Sequence, residues 1–140
     1  RPGDREAARE SFRRFGEVAG DVISQALTII DGIVVLGGGL TGAAKYFMPS
    51  LLAEMRGEIG TFAGDRFPRL QMQTYDLDSP EEAAEFVREK SVPVAVPHSE
   101  ERVRYHHIRQ TPVVRSKLGA SRAIALGAYA FAIAELDRRQ

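Results

Sequence analysis

Six consecutive residues constrain this chain more than any others: Gly37, Gly38, Gly39, Leu40, Thr41 and Gly42. They follow a run of apolar, mostly β-branched residues, Ile33, Val34, Val35 and Leu36. A run without polar alternation reads as a strand covered on both faces, the kind found in parallel sheets. The glycines stop it, and Thr41 is placed to cap a helix running through Ala43, Tyr46 and Phe47. A strand that enters a helix through bare backbone suits a nucleotide. Without Cβ atoms the main chain can lie against a ring or a phosphate, and a helix N-terminus offers N–H donors to anions.

Gly37, Gly39 and Gly42 satisfy the G-x-G-x-x-G fingerprint of dinucleotide-binding folds. That fingerprint also calls for an acid about 20 positions further on, at the end of the next strand. Glu58 has the spacing but falls in helical or loop sequence, and the nearest strand-terminal acid, Asp76, is much too far along. Pro49 also interrupts the helix early and reads as the start of a second helical piece containing Leu51, Leu52 and Met55. A ligand-free strand-to-helix turn is the plain alternative for a lone glycine run.

The flanking sequence predicts the remaining elements. Asp4 is a candidate N-cap for a long helix with an apolar stripe of Phe12, Phe15, Ala19, Val22, Ala26 and Ile30, ended by Asp31 and Gly32. Gly16, Gly20 and Ser24 form a second row at i, i+4, i+8. Each glycine costs about 1 kcal/mol against alanine in a helix interior, so close approach of another element is expected there. Residues 60–68 read as a loop, and 70–75 alternate as a strand. Ser79, Pro80 and Glu82 form a helix start with a capping box, the helix running to about Lys90. Val92, Val94 and Val96, then Val103 and Tyr105, read as a hairpin turning at 98–101, its first strand held to a sheet edge by Pro93 and Pro97. Residues 121–138 form a helix apolar on nearly every side, which reads as buried. Helices and strands in this order indicate an α/β architecture in one domain.

Composition excludes several functions. Nineteen basic residues balance nineteen acidic ones, so no overall positive field draws in nucleic acid or an anionic membrane. The absence of cysteine removes disulfides, thiolate metal sites and a cysteine nucleophile, and fits a cytoplasmic protein. Apolar stretches stop short of the roughly 18–20 residues a membrane span needs. His98, His106 and His107 read as surface residues. Adjacent His106 and His107 would point to opposite faces of a strand, which is poor geometry for one metal. Asp76, Asp78, Glu81 and Glu82 read as a solvated, capped helix start. Arg102, Arg104, Arg109, Arg115 and Lys117 read as a charged edge that discourages pairing. The first residue is Arg1 and a helix begins almost at once, which reads as a start inside a longer protein.

Two stretches together resemble the ROK family (repressors, uncharacterised reading frames and kinases). Gly3, Asp4 and Ala7 match its Gly-Asp-x-x-Ala start, followed by a helix with spaced glycines and a strand running into Gly37, Gly38 and Gly39. Ser116, Leu118 and Gly119, then Gly127 and Ala128, resemble its closing Ser-x-Leu-Gly and Gly-Ala-Ala helix, with Tyr129 replacing the second alanine. The likeness spans roughly 3–59 and 112–136. Residues 61–111 look like an insertion of strand, helix and hairpin specific to a glucokinase-like subgroup.

The resemblance implies that residues 1–140 form the C-terminal, nucleotide-side part of an actin/hexokinase-like (ribonuclease H-like) ATPase fold. It places Gly37, Gly38 and Gly39 against adenosine, with Leu40 and Thr41 beside them. It implies ATP and Mg²⁺ as cofactors and a hexose bound through an upstream half. Separately, the small-residue helices are suited to pack within the chain or against a second subunit, so a homo-oligomer is expected. The family's Asp-x-Gly-x-Thr phosphate loop, its Asn-Asp catalytic segment and its His-plus-cysteine zinc motif are all missing here. No catalytic residue and no metal ligand is therefore assigned to this chain, and the 140 residues alone are expected to be inactive. The sugar-sensing domain of a ROK transcriptional repressor is the alternative.

Overall fold

The computed structural model describes residues 3–138. Helix α1 (Arg5–Ile29) is followed by strand β1 (Val34–Leu36), one 3₁₀ turn (Gly39–Ala43) and helix α2 (Ala44–Met55). Two short strands, β2 (Glu58–Gly60) and β3 (Arg66–Pro68), form an antiparallel hairpin. Then come β4 (Gln73–Asp76), α3 (Pro80–Phe86), the hairpin of β5 (Val92–Ala95) with β6 (Arg102–Tyr105), β7 (Gln110–Arg115) and α4 (Ala120–Asp137). Strands β1, β7 and β4 make one parallel sheet in that order, so β7, last in sequence, lies in the middle.

Asp4 caps α1 as its sequence predicts: Oδ1 accepts from the Glu6 and Ala7 amides, both at 3.0 Å. The buried seam of α1 is not the apolar stripe but the row of small residues, Gly16, Gly20 and Ser24, continued by Leu27. A Cβ on Gly16 would come within 2.3 Å of the Phe47 carbonyl oxygen, and one on Gly20 within 2.6 Å of the Leu51 oxygen. Helix α2 thus approaches α1 backbone to backbone, and Phe12, Ala19 and Ile23 pack only at the flanks. Val22 of the stripe and Val18, one turn before it, face outward. Arg69, beyond β3, pairs with Asp21 of α1 and with Glu54 of α2 at 2.6 Å and ties the two helices together.

Helix α2 is the centre of the core. Ala44, Phe47, Met48, Leu51, Leu52 and Met55 are buried between α1 and the sheet, where Val113 of β7 meets them. Pro49 lies inside this helix, not at the start of a second one, and its ring points outward. The N-cap position belongs to Ala43, which provides no side-chain cap, so Thr41 does not cap α2 as the sequence predicts.

Strand β7 escaped the sequence reading because Pro112 interrupts it. A proline in a central strand removes a ladder donor. The ladder sets Ser116 N–H on the Leu36 oxygen at 2.8 Å, with Leu36 opposite Arg115 and Val34 opposite Val113. Extended by the same register, Pro112 would face the Gly32 carbonyl with no N–H to give. The fully buried Thr111 fills the gap: its hydroxyl donates to the Gly32 oxygen at 3.0 Å. Thr111→Val keeps the shape and removes that donor. Its expected cost is on the order of 1 kcal/mol, read as a lower urea midpoint at unchanged m-value. An unmoved midpoint would show that the carbonyl has another partner.

Other elements differ from expectation for local reasons. Residues 60–68 belong to the β2–β3 hairpin, which starts at Glu58, and are not a bare loop; β4 begins only at Gln73. Helix α3 ends at Phe86, short of Lys90. Ser79 accepts from the Glu82 amide, but Glu82 does not close the capping box; it accepts from the Asp76 amide at 2.7 Å and pairs with Arg56. Lys90 donates to the Tyr75 hydroxyl at 2.8 Å and lies 2.9 Å from Glu85. The hydroxyl first and the carboxylate second raise its pKa. The pair holds α3, whose Phe86 ring packs on Tyr75, to β4.

Two surfaces predicted to be buried are open. Val35 of β1 and Ile33 just before it are exposed, by 59% and 67%, because no described element covers that side of the strand. Helix α4 buries no residue; Tyr129 and Phe131 are about 70% exposed. Among the described residues no helix is long and apolar enough to cross a membrane.

Candidate functional site

The glycine turn sits at the carboxyl end of the parallel sheet, the side on which open α/β sheets bind ligands. Gly37 leaves β1 beside Ser116, at the matching end of β7. Gly38 has φ +94°, a left-handed conformation that favours glycine. Its carbonyl accepts from the Thr41 amide at 3.3 Å and from the Thr41 hydroxyl at 2.8 Å. Thr41 therefore locks the 3₁₀ turn onto Gly38. The structure brings together all five residues singled out, Gly37, Gly38, Gly39, Leu40 and Thr41, on one exposed ledge.

The glycines of this ledge differ in kind from those of α1. A Cβ built on Gly38, Gly39 or Gly42 meets nothing within 4 Å, and one on Gly37 only grazes Ser116 at 3.9 Å. Gly39 and Gly42 also have no positive φ. Neither packing nor backbone geometry within the chain calls for glycine there. Bare backbone facing open space leaves room for something outside the chain.

The turn separates two cavities of contrasting chemistry. One, of about 260 Å³, is apolar: Phe15, Ala19, Leu36, Leu40, Phe47 and Leu51 line it beside Gly37 and Gly39. The other, of about 280 Å³, is polar, lined by Thr41, Gly42, Asp78, Arg115, Ser116 and Lys117. Thr41 borders both. Each is slightly smaller than the roughly 300 Å³ at which small-molecule pockets begin, so a larger ligand would straddle the turn. An apolar slot beside a hydroxyl- and cation-lined one matches the two halves of a nucleotide, a flat base and a polar sugar phosphate.

Larger hollows lie elsewhere, about 630 Å³ along the first turns of α1 and about 580 Å³ at the amino ends of β4 and β7. In the first, Glu10 and Arg13 are already paired with each other. Arg13 and Arg14 hold the Glu10 carboxyl down at about 2, so it carries no proton for chemistry near neutral pH. Neither hollow touches the glycine turn. Among the described residues no group of three His, Asp or Glu side chains is placed to hold a metal ion. His106 Nδ1 contacts the Ile108 oxygen at 2.8 Å, and His98 occupies the hairpin turn with φ +60°.

Sequence reasoning missed the far wall of the polar cavity. Asp78, Arg115 and Lys117 were read as capping or solvated charge, since only the position of β7 beside β1 places them next to the turn.

Comparison with solved structures decides what this arrangement resembles. The chain is similar to a glucokinase. The relative, from Parabacteroides distasonis, is 44% identical over 95% of this chain and superimposes with a TM-score of 0.76. That share is too large for the match to skip residues 61–111, so the strand, helix and hairpin there also fall within the likeness. This chain spans 35% of that glucokinase's length. No family model and no curated protein matches the sequence.

Proposed function

We propose that this chain is the nucleotide-side, C-terminal part of an ATP-dependent sugar kinase of the ROK type, glucokinase-like in its substrate. The observation that carries the reading is the ledge formed by Gly37, Gly38 and Gly39, bare at Gly39, where neither packing nor backbone conformation within the chain requires glycine. The likeness to a glucokinase at 44% identity supports the same assignment. On this reading adenine occupies the apolar cavity against Leu36, Leu40 and Phe47. Thr41 marks the passage to the polar cavity, where the sugar and the phosphates lie near Arg115, Ser116 and Lys117.

Phosphoryl transfer is mainly positioning and charge stabilisation. This chain supplies the positioning of the nucleoside. The groups that hold the sugar with its acceptor hydroxyl, the base that takes its proton and the ligands that would hold Mg²⁺ belong to the upstream part of the kinase, and residues 61–111 are a subgroup insertion. The intact polypeptide is expected to bind ATP by calorimetry and to phosphorylate glucose in a coupled assay, whereas residues 1–140 alone give no turnover. Absence of ATP binding by the intact protein would refute the assignment, and turnover by the 140 residues alone would refute the division of labour.

A further inference from the structure

The polar cavity beside the glycine turn contains a single carboxylate. Asp78 lies two residues beyond β4, a strand that does not touch β1. It reaches the turn by way of β7. The Leu77 amide donates to the Val113 oxygen at 2.9 Å, carrying the loop along the end of that strand, and Arg115 of β7 donates to Asp78 Oδ2. Ser116, the next residue, is bonded to Leu36 at the root of the turn. The Asp78 amide is held by Asp76 Oδ1 at 2.9 Å. The side chain is only 18% exposed and lines the cavity.

The chemistry of the other walls limits what such a carboxylate can meet. Arg115 and Lys117 are cations, and Thr41 and Ser116 carry hydroxyls. An ionised carboxylate only accepts, and its two oxygens together offer about four lone-pair sites. Arg115 uses one of them on Oδ2. A phosphate would be repelled by Asp78 and drawn towards Lys117, which has no ion-pair partner among the described residues. On the sugar-phosphate half of a nucleotide, the vicinal diol of the ribose is the group that donates to a carboxylate. Dinucleotide-binding folds use an acid at a strand end for the same task. There it follows about 20 positions after the glycines; here the sheet order brings in an acid from much further along the chain.

We infer that Asp78 is a specificity residue that accepts hydrogen bonds from the ribose hydroxyls of a nucleotide lying on the glycine turn, with Arg115 as the residue that positions its carboxylate. The inference rests on the nucleotide-binding reading above but can fail independently of it.

The test is calorimetric titration of the intact protein with ATP and with 2′,3′-dideoxy-ATP. A hydrogen bond to a charged group amounts to about a tenfold preference for ATP in the wild-type protein. In Asp78→Asn and Asp78→Ala that preference should fall to within about twofold, mainly through weaker ATP binding. Equal binding of the two nucleotides by the wild-type protein would overturn the inference, and so would a preference that survives in both variants. Binding of neither nucleotide would remove the nucleotide reading and this inference with it. Should one variant fail to fold, the other decides: a lost preference supports Asp78 as the acceptor and a retained one overturns it.

Discussion

Gly16→Ala is expected to destabilise the protein by about 1–3 kcal/mol, the usual cost of forcing atoms into a packed interior. The added methyl would stand 2.3 Å from the Phe47 carbonyl oxygen and 3.1 Å from the Leu51 nitrogen. Both are backbone atoms of α2, so no rotamer change can make room, and the two helices must move apart. That separation would loosen the contact of α2 with α1 on one side and disturb its packing on Val113 on the other. Helix propensity acts in the opposite direction, since alanine is favoured over glycine by about 1 kcal/mol. Gly127→Ala of α4 isolates that term, because nothing lies within 4 Å of the added methyl there. Thermal unfolding should therefore show a fall of several degrees for Gly16→Ala and no loss for Gly127→Ala. If both substitutions raised the midpoint alike, the backbone-to-backbone seam would not exist.

The same seam shows what a reader of the sequence alone can and cannot extract. Gly16, Gly20 and Ser24 announce themselves, because glycines spaced one turn apart are costly unless an element lies against them. The apolar stripe beside them misleads. Val18 and Val22 satisfy the helical period, yet the period does not say which of two adjacent rows faces the neighbour. Strand β7 was illegible for a different reason. Pro112 is evidence against a central strand, and the hydroxyl that compensates for it comes from Thr111, whose contact with Gly32 exists only after the chain has folded. For α4 the composition records a need for cover and no described element meets that need, so its apolar surface stays open. The glycine turn was legible as a bare strand-to-helix turn because strand, turn and helix are contiguous in sequence. Asp78 and Lys117 were not legible beside it, because parallel strands pair across long crossovers and their order in the sheet is not written locally.

Gly39→Leu is expected to abolish nucleotide binding while leaving the fold intact, and this separation is the sharpest test of the site. Gly39 begins the 3₁₀ turn without a positive φ, and its missing Cβ faces open space. The Cβ of a leucine there meets no atom of the chain within 4 Å, so the thermal midpoint should shift by no more than about 2 °C, the range of an inconsequential surface change. A ligand that lies on the ledge would meet the new side chain directly. Close-packed contacts tolerate little overlap, so the affinity for ATP should fall by well over tenfold, measured by calorimetry on the intact protein. Gly38→Leu would be a poorer probe, since φ +94° strains any side chain and would confuse lost binding with lost structure. Leu40→Ala works from the other side: it opens the apolar cavity without blocking it and should weaken binding by less than Gly39→Leu does. Full ATP affinity in Gly39→Leu, with the fold preserved, would mean that the bare turn serves no nucleotide and that the likeness to a glucokinase extends to the fold but not to this ledge.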